Sequence, residues 1–155
     1  MRVFIPILAA LVAACRLASA AEILAGPYAA EILRVIDGDT VEAKVHVWLG
    51  LDVTTRVRLR DMDSPELHGA CPDAGRAARD ALIALLGDGP VTLSHIANDK
   101  YGGRVDAALT LPSGADVSAA MLAAGHARKW PRPKGEVNCP SAVLRANAAF
   151  RSKVR

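Results

Sequence analysis

Aromatic residues and long apolar runs are scarce in this sequence of 155 residues. Trp, Tyr and Phe occur only twice each, and Ala and Leu carry much of the 52% hydrophobic content. That hydrophobic fraction excludes an intrinsically disordered chain. No apolar run reaches the roughly 18 residues that indicate a transmembrane helix, so we expect no transmembrane segment. At about 100 to 200 residues per domain, the length leaves room for one domain and no second catalytic unit.

The N-terminus has the pattern of an export signal. Arg2 precedes an uncharged run over residues 3–15, and residues 18–20 read Ala-Ser-Ala. This pattern predicts a secretory signal peptide over residues 1–20, cleaved after Ala20. The alternative is a bacterial lipoprotein box at residues 12–15, which would leave a lipidated Cys15, but Arg16 fits that box poorly. Both interpretations place the protein outside the cytoplasm, in the periplasm or the medium.

Charge of one sign is concentrated at the C-terminus. The whole chain has a formal net charge of +3, and loss of Arg2 and Arg16 with the signal would reduce it to +1. Residues 128–155 hold eight basic side chains and only Glu136 as an acid. This segment either attracts a polyanion or forms a solvated surface that balances an acidic body.

Cysteine is also scarce, with three in the chain. Without Cys15, the exported protein keeps Cys71 and Cys139, which in an oxidising compartment most simply form a disulfide. A bridge between them would close a loop of 68 positions. In the chain-entropy model such a loop stabilises the fold by roughly 4 kcal/mol. Whether the two cysteines approach closely enough depends on the fold.

Hydrophobic periodicity predicts the order of the secondary structure. Five strands are expected over residues 28–37, 40–48, 53–62, 90–97 and 104–111, with helices over 72–86, 117–124 and 141–153. Residues 130–135 contain two prolines and a glycine and are not expected to be regular. The order favours an α+β, β-rich class: a five-stranded oligonucleotide-binding (OB-fold) barrel with a helix between strands three and four and C-terminal helices.

Carboxylates are concentrated in two turns of this predicted barrel. Residues 37–40 read Asp-Gly-Asp-Thr, and residues 61–66 read Asp-Met-Asp-Ser-Pro-Glu. Such clusters indicate a hard cation, because calcium and magnesium prefer oxygen ligands. The alternative is that each Asp bonds its own turn. An EF-hand is excluded, since Gly38 stands at the second position of that loop and Trp48 at the twelfth.

Three separated motifs carry a family resemblance. In chain order they are Val35-Ile36-Asp37-Gly38-Asp39-Thr40-Val41; Val57-Arg58-Leu59 followed by Asp63-Ser64-Pro65-Glu66; and Asp99-Lys100-Tyr101-Gly102-Gly103-Arg104. Together they resemble the staphylococcal-nuclease-like (thermonuclease) family over residues 28–127. With the signal peptide predicted at residues 1–20, the resemblance implies a nuclease-like OB-fold domain at 21–130. The remaining residues, 131–155, are expected to form a basic linker and a helix that pack on the barrel.

The resemblance also implies the roles of individual residues. One calcium ion is expected on the carboxylates of Asp39 and Asp63 and the backbone carbonyl of Ser64. Glu66 is implied to orient or deprotonate the attacking water. Arg58 and Arg104 are implied to bind the scissile phosphate, and the loop residues Lys100 and Tyr101 to lie beside the substrate. Arginine suits phosphate because its planar fork donates two hydrogen bonds.

Two features depart from the family pattern. Gly102 and Gly103 both precede Arg104 where the family commonly has one glycine, so the loop must absorb an extra residue. Where the family often has tyrosines that contact the nucleotide, this chain offers only Trp130.

The sequence therefore predicts an exported, calcium-dependent nuclease that hydrolyses DNA and RNA with low sequence specificity and leaves 3′-phosphates. We expect nucleic acid as the only partner and a monomer in solution. The alternative is a non-catalytic nucleic-acid-binding module on the same OB fold.

Overall fold

The computed structural model describes residues 22–133 and 138–139. The signal peptide expected over residues 1–20, Cys15 and the third helix expected over 141–153 lie outside the described residues. The same holds for most of the expected C-terminal segment at 131–155.

The described residues form eight strands and two helices. The strands are β1 (Ile23–Leu24), β2 (Tyr28–Val35), β3 (Thr40–Trp48), β4 (Leu51–Leu59), β5 (Met62–Asp63), β6 (Val91–Asn98), β7 (Arg104–Thr110) and β8 (Arg128–Lys129). The helices are α1 (Pro72–Leu86) and α2 (Val117–Ala123). No helix in this part of the chain is long and apolar enough to cross a membrane.

Five of the strands close into a barrel. Antiparallel pairs join β2 to β3 and β3 to β4, and β4 pairs parallel with β7. The circuit continues through antiparallel pairs of β7 with β6 and of β6 with β2, which closes it. With α1 between the third and fourth barrel strands, the fold is the predicted α+β, OB-like barrel.

The barrel core follows from period-two alternation along its strands. In β3, Val41, Ala43 and Val45 are buried, while the intervening Glu42 and Lys44 are only half-buried. Helix α1 adds Ala78, Leu82 and Leu86 to the barrel core at helical spacing, while Ala74 packs with Cys71 and Cys139. The core thus fixes the ends of the strands, where the polar turns lie.

The third barrel strand is shorter than predicted. It ends at Leu59 rather than at residue 62, because Asp61 adopts a left-handed φ of 61° that turns the chain out of the barrel. Asp accepts this conformation more readily than most residues. Met62 and Asp63 then pair with Lys129 and Arg128 in a separate two-stranded sheet. Asp63 therefore lies in β5, where it pairs with Arg128 of β8 rather than with a barrel strand.

Candidate active site

The two acidic turns meet at one end of the barrel. The backbone N–H of Leu59 donates to the carbonyl oxygen of Asp39 at 2.8 Å, which ties the end of β4 to the start of β3. The backbone N–H of Ser64 donates to Asp39 Oδ2 at 3.1 Å. Asp39, Asp63 and Ser64 are all buried. The structure thus brings together the three residues expected to bind a cation.

Two glycines allow this close packing. A Cβ on Gly38 would lie 2.6 Å from Ala78 Cβ of α1 and 2.7 Å from Ser64 Oγ. A Cβ on Gly75 in α1 would lie 2.6 Å from the carbonyl oxygen of Glu66. Because neither glycine has a side chain, both turns can pack directly against the helix.

Arg58 lies between the two buried carboxylates. Its Nη2 atom is 2.8 Å from Asp63 Oδ1 and 3.3 Å from Asp39 Oδ2. The guanidinium carbon is also 5.9 Å from the centre of the Trp130 ring, a distance typical of a cation–π contact. Arg58 is thus shared between the acidic pair and the neighbouring cleft.

Burial disfavours the ionised form of the Asp39 carboxyl group. Burial raises the pKa of its carboxyl group from 3.8 to about 6, although the positive charge of Arg58 acts in the opposite direction. Hydrogen bonds from Ser64 N and from Thr40 Oγ1, the latter at 2.9 Å, also favour the ionised form. A second cation close to Asp39 would stabilise that form further.

A cavity of about 380 Å³ opens beside the acidic pair. It brings together six of the residues singled out in the sequence, namely Arg58, Asp63, Glu66, Lys100, Tyr101 and Arg104. Glu66 is exposed, whereas Asp39 and Ser64 are buried and are not among the residues that line the cavity. Carboxylate and guanidinium groups therefore line a common space.

The loop between β6 and β7 absorbs the extra glycine. Its ends are joined by a hydrogen bond of 3.2 Å from the N–H of Asp99 to the carbonyl oxygen of Arg104. Gly103 adopts a left-handed φ of 78°, and neither Gly102 nor Gly103 would place a Cβ against another residue. Arg104 still reaches the cavity, where it pairs with Asp99 and lies 5.3 Å from the Tyr101 ring centre.

Several cavity residues were not assigned a role from the sequence. Asp99 pairs with Arg104, whose hydrogen bond lowers the pKa of Asp99 although burial alone would raise it. Asp106 lies opposite Arg58 in the β4–β7 ladder, and burial together with the charge of Asp99 raises its pKa. Its position two residues beyond Arg104 on one strand face could have indicated it. Arg132 joins them, with Nε 3.1 Å from Asp63 Oδ2.

Asn138 was missed for a different reason. Its Nδ2 atom donates to the carbonyl oxygen of Asp63 at 2.7 Å and to Asp63 Oδ2 at 2.8 Å. The two residues are 75 positions apart, so no local pattern connects them. The neighbouring residue supplies the connection, because Cys139 forms a disulfide with Cys71 immediately before α1, with the Cα atoms 5.8 Å apart.

The donor set fits a hard divalent cation. One guanidinium nitrogen contacts both buried carboxylates, so a positive charge at this point is stabilised by Asp39 and Asp63 together. Oxygen ligands from carboxylates and a backbone carbonyl are those that calcium prefers. Among residues 22–133 and 138–139 no group of three His, Cys, Asp or Glu side chains is arranged for a metal. A cation here would therefore use these two carboxylates with backbone and water oxygens.

Two curated proteins are similar to part of this chain. The chain is 35% identical over 104 residues to a micrococcal nuclease of Shigella flexneri, an alignment that covers 63% of this chain and 55% of that protein. It is 33% identical over 104 residues to protein ParB of Escherichia coli, covering 63% of this chain and 54% of that protein. The chain thus spans about half the length of the curated relatives it matches. No family model matches the sequence.

Proposed function

We propose that this protein is an exported, calcium-dependent nuclease that hydrolyses the phosphodiester bonds of DNA and RNA with low sequence specificity. The observation that carries the proposal is the convergence of Arg58, Glu66 and Arg104 on one cavity beside two buried carboxylates. The similarity to a micrococcal nuclease over 104 residues supports the same activity.

Arg58 and Arg104 bind the scissile phosphate in this proposal. Both guanidinium groups line the cavity, and each is oriented by a carboxylate, Asp63 for Arg58 and Asp99 for Arg104. Two planar forks can hold the phosphoryl oxygens and stabilise the negative charge that grows on them as water attacks. The acids that orient the arginines also limit the net positive charge of the cleft.

Glu66 orients the attacking water or accepts its proton. The residue is exposed at the cavity, and the turn that carries it packs against Gly75 of α1, so its position relative to Asp63 is fixed by the helix. A carboxylate within hydrogen-bond reach of a water can serve either role. In-line attack with departure of the 5′-oxygen would leave 3′-phosphates.

Asp39, Asp63 and the backbone carbonyl of Ser64 would hold the calcium ion. When bound, the ion supplies positive charge that stabilises the developing negative charge of the phosphoryl group. Asp39 and Asp63 bring two negative charges to one point, and burial keeps competing water away from them. Arg58, which contacts both carboxylates, can turn toward a phosphate once another cation neutralises them.

Low specificity follows from what the cavity offers. Its cationic side chains are suited to phosphate, and its two aromatic residues, Tyr101 and Trp130, are 59% and 41% exposed. Phosphate contacts carry no sequence information directly, and aromatic rings stack on any base. The cavity therefore favours unpaired strands of any sequence.

The test is digestion of single-stranded DNA by protein purified from the exported fraction, in calcium and in chelator, with Glu66→Gln beside it. Cleavage should require calcium and should fall by about 10²- to 10⁴-fold in Glu66→Gln, because the carboxylate that handles the water is lost. Glu31→Gln is the matched control, since Glu31 is exposed and pairs with Lys44 in the β2–β3 sheet. Mass spectrometry of the same sample gives its first residue, expected to be Ala21.

A wild-type protein that binds DNA but cuts none in calcium, magnesium or manganese would contradict the proposal. The chain would then be a non-catalytic nucleic-acid-binding module on the OB fold.

A further inference from the structure

Two side chains from the C-terminal part of the described residues reach the Asp63 carboxylate: Arg132, with Nε 3.1 Å from Oδ2, and Asn138. Asn138 is half-buried, and its Nδ2 atom donates to both the carbonyl oxygen and the Oδ2 atom of Asp63. The Oδ1 atom of the same carboxylate faces Arg58 Nη2 at 2.8 Å. Asn138 therefore holds Oδ2 of Asp63 together with Arg132, and Oδ1 remains the oxygen that contacts Arg58.

Two contacts fix the position of Asn138. The adjacent Cys139 is completely buried and is bonded to Cys71, the residue before α1. The carbonyl oxygen of Cys139 accepts a hydrogen bond of 2.6 Å from Arg128 Nη2, and Arg128 is paired with Asp63 in the β5–β8 sheet. The disulfide thus connects the helix that carries Gly75 to the residue that orients Asp63.

We infer that Asn138 is a positioning residue for the cation site and that the Cys71–Cys139 disulfide keeps it in place. The inference rests on the proposed calcium site and adds to it a redox-sensitive support. Hydrogen-bonded partners that orient a ligating carboxylate typically contribute about 10- to 100-fold to metal affinity. Reduction of the disulfide releases Asn138 and weakens calcium binding, whereas in the oxidised protein Asn138 stays hydrogen-bonded to Asp63.

The test measures calcium binding by isothermal titration calorimetry, independently of cleavage. The proteins are the wild type, Asn138→Ala, the double variant Cys71→Ser/Cys139→Ser and the triple variant that combines all three changes. Asn138→Ala and the double variant should each bind calcium about 10-fold more weakly than the wild type. The triple variant should bind no more weakly than the double variant, because both changes remove the same interaction.

The calcium dependence of cleavage distinguishes positioning from a general structural role. Asn138→Ala should need about 10-fold more calcium for half-maximal cleavage and should approach the wild-type rate at saturating calcium. Ser113→Ala is the matched control, because Ser113 Oγ accepts a hydrogen bond from Ala115 N beyond the far end of β7. A reductant should weaken calcium binding by the wild type and leave the double variant unchanged.

Each result decides the inference. Wild-type calcium affinity in a folded Asn138→Ala protein overturns the role of Asn138, and a further loss in the triple variant overturns the link to the disulfide. Circular dichroism establishes folding; if the double variant is unfolded, Asn138→Ala, which keeps the disulfide, decides the role of Asn138. A wild type that neither binds calcium nor cuts DNA overturns both this inference and the proposed function.

Discussion

At the scale of single residues, the Asp39 carboxyl group contributes to the pH dependence of the metal-free protein. Its pKa is raised by burial from 3.8 to about 6. A raised pKa means that the folded state favours the protonated acid, so the stability from this group is complete below about pH 3.8 and is lost as the pH rises through about 6. The loss amounts to at most about 3 kcal/mol in the free energy of unfolding.

Asp39→Asn should therefore stabilise the protein in chelator at pH 7, and the gain should disappear toward pH 4. Urea unfolding of both proteins between pH 4 and pH 7 measures the difference, which isolates Asp39 from other acids such as Asp106, whose pKa is also raised. Calcium should stabilise the wild type and have little effect on the variant, because a ligand that binds only the folded state stabilises it. A constant difference at every pH would contradict this assignment.

Residue identities in the site were largely predictable, but the partners that hold them were not. The motifs placed Asp39, Glu66 and Arg104 where chemistry requires charge, and the structure gathers them at one end of the barrel. Asn138 acts across 75 positions, and Arg132 lies in an irregular segment. Contacts between residues so far apart in sequence depend on the path of the chain after the barrel, and local sequence patterns do not predict that path.

At the scale of the elements, the two acidic turns hold their geometry because they pack against α1 without an intervening side chain. Gly38→Ala should destabilise the protein by about 1 to 3 kcal/mol, since the new methyl group would overlap Ala78 and Ser64. It should also weaken calcium binding by displacing Asp39 from Ser64. Thermal unfolding and calcium titration measure the two effects.

Gly89→Ala is the matched control for this substitution. A Cβ on Gly89 would meet no atom within 4 Å, and the loop before β6 is exposed. Equal effects of the two substitutions would mean that backbone flexibility, rather than the close approach of the turns to α1, determines the result.

Long elements were predicted to within a few residues, and short ones were not. The strand over Thr40–Trp48 and the helix over Pro72–Leu86 have the expected bounds. In each of them buried side chains recur at the spacing typical of a strand or a helix over several repeats. The strands β5 and β8 have two residues each and show no periodicity at all. Their pairing follows the left-handed turn at Asp61 and includes Asp63 of the site.

At the scale of the whole molecule, the charge balance limits how strongly the cavity attracts nucleic acid. The cavity contains four cationic side chains, Arg58, Lys100, Arg104 and Arg132, but acids contact three of them. The formal net charge of the whole chain is only +3, and it would be +1 without Arg2 and Arg16 of the expected signal. The long-range attraction of a polyanion is therefore weak, and binding depends on local contacts.

The dependence of binding on salt tests this balance. Binding of single-stranded DNA to the Glu66→Gln protein should weaken with rising salt, with a slope of log affinity against log salt no steeper than about −3, at about −0.7 for each phosphate contacted. Arg132→Gln should make the slope shallower by about 0.7, and Arg34→Gln, which removes an exposed partner of Glu42, should leave it unchanged. A slope of about −5 or steeper would mean that basic residues of segment 128–155 other than Arg132 also contact the nucleic acid, and that binding extends well beyond the cavity.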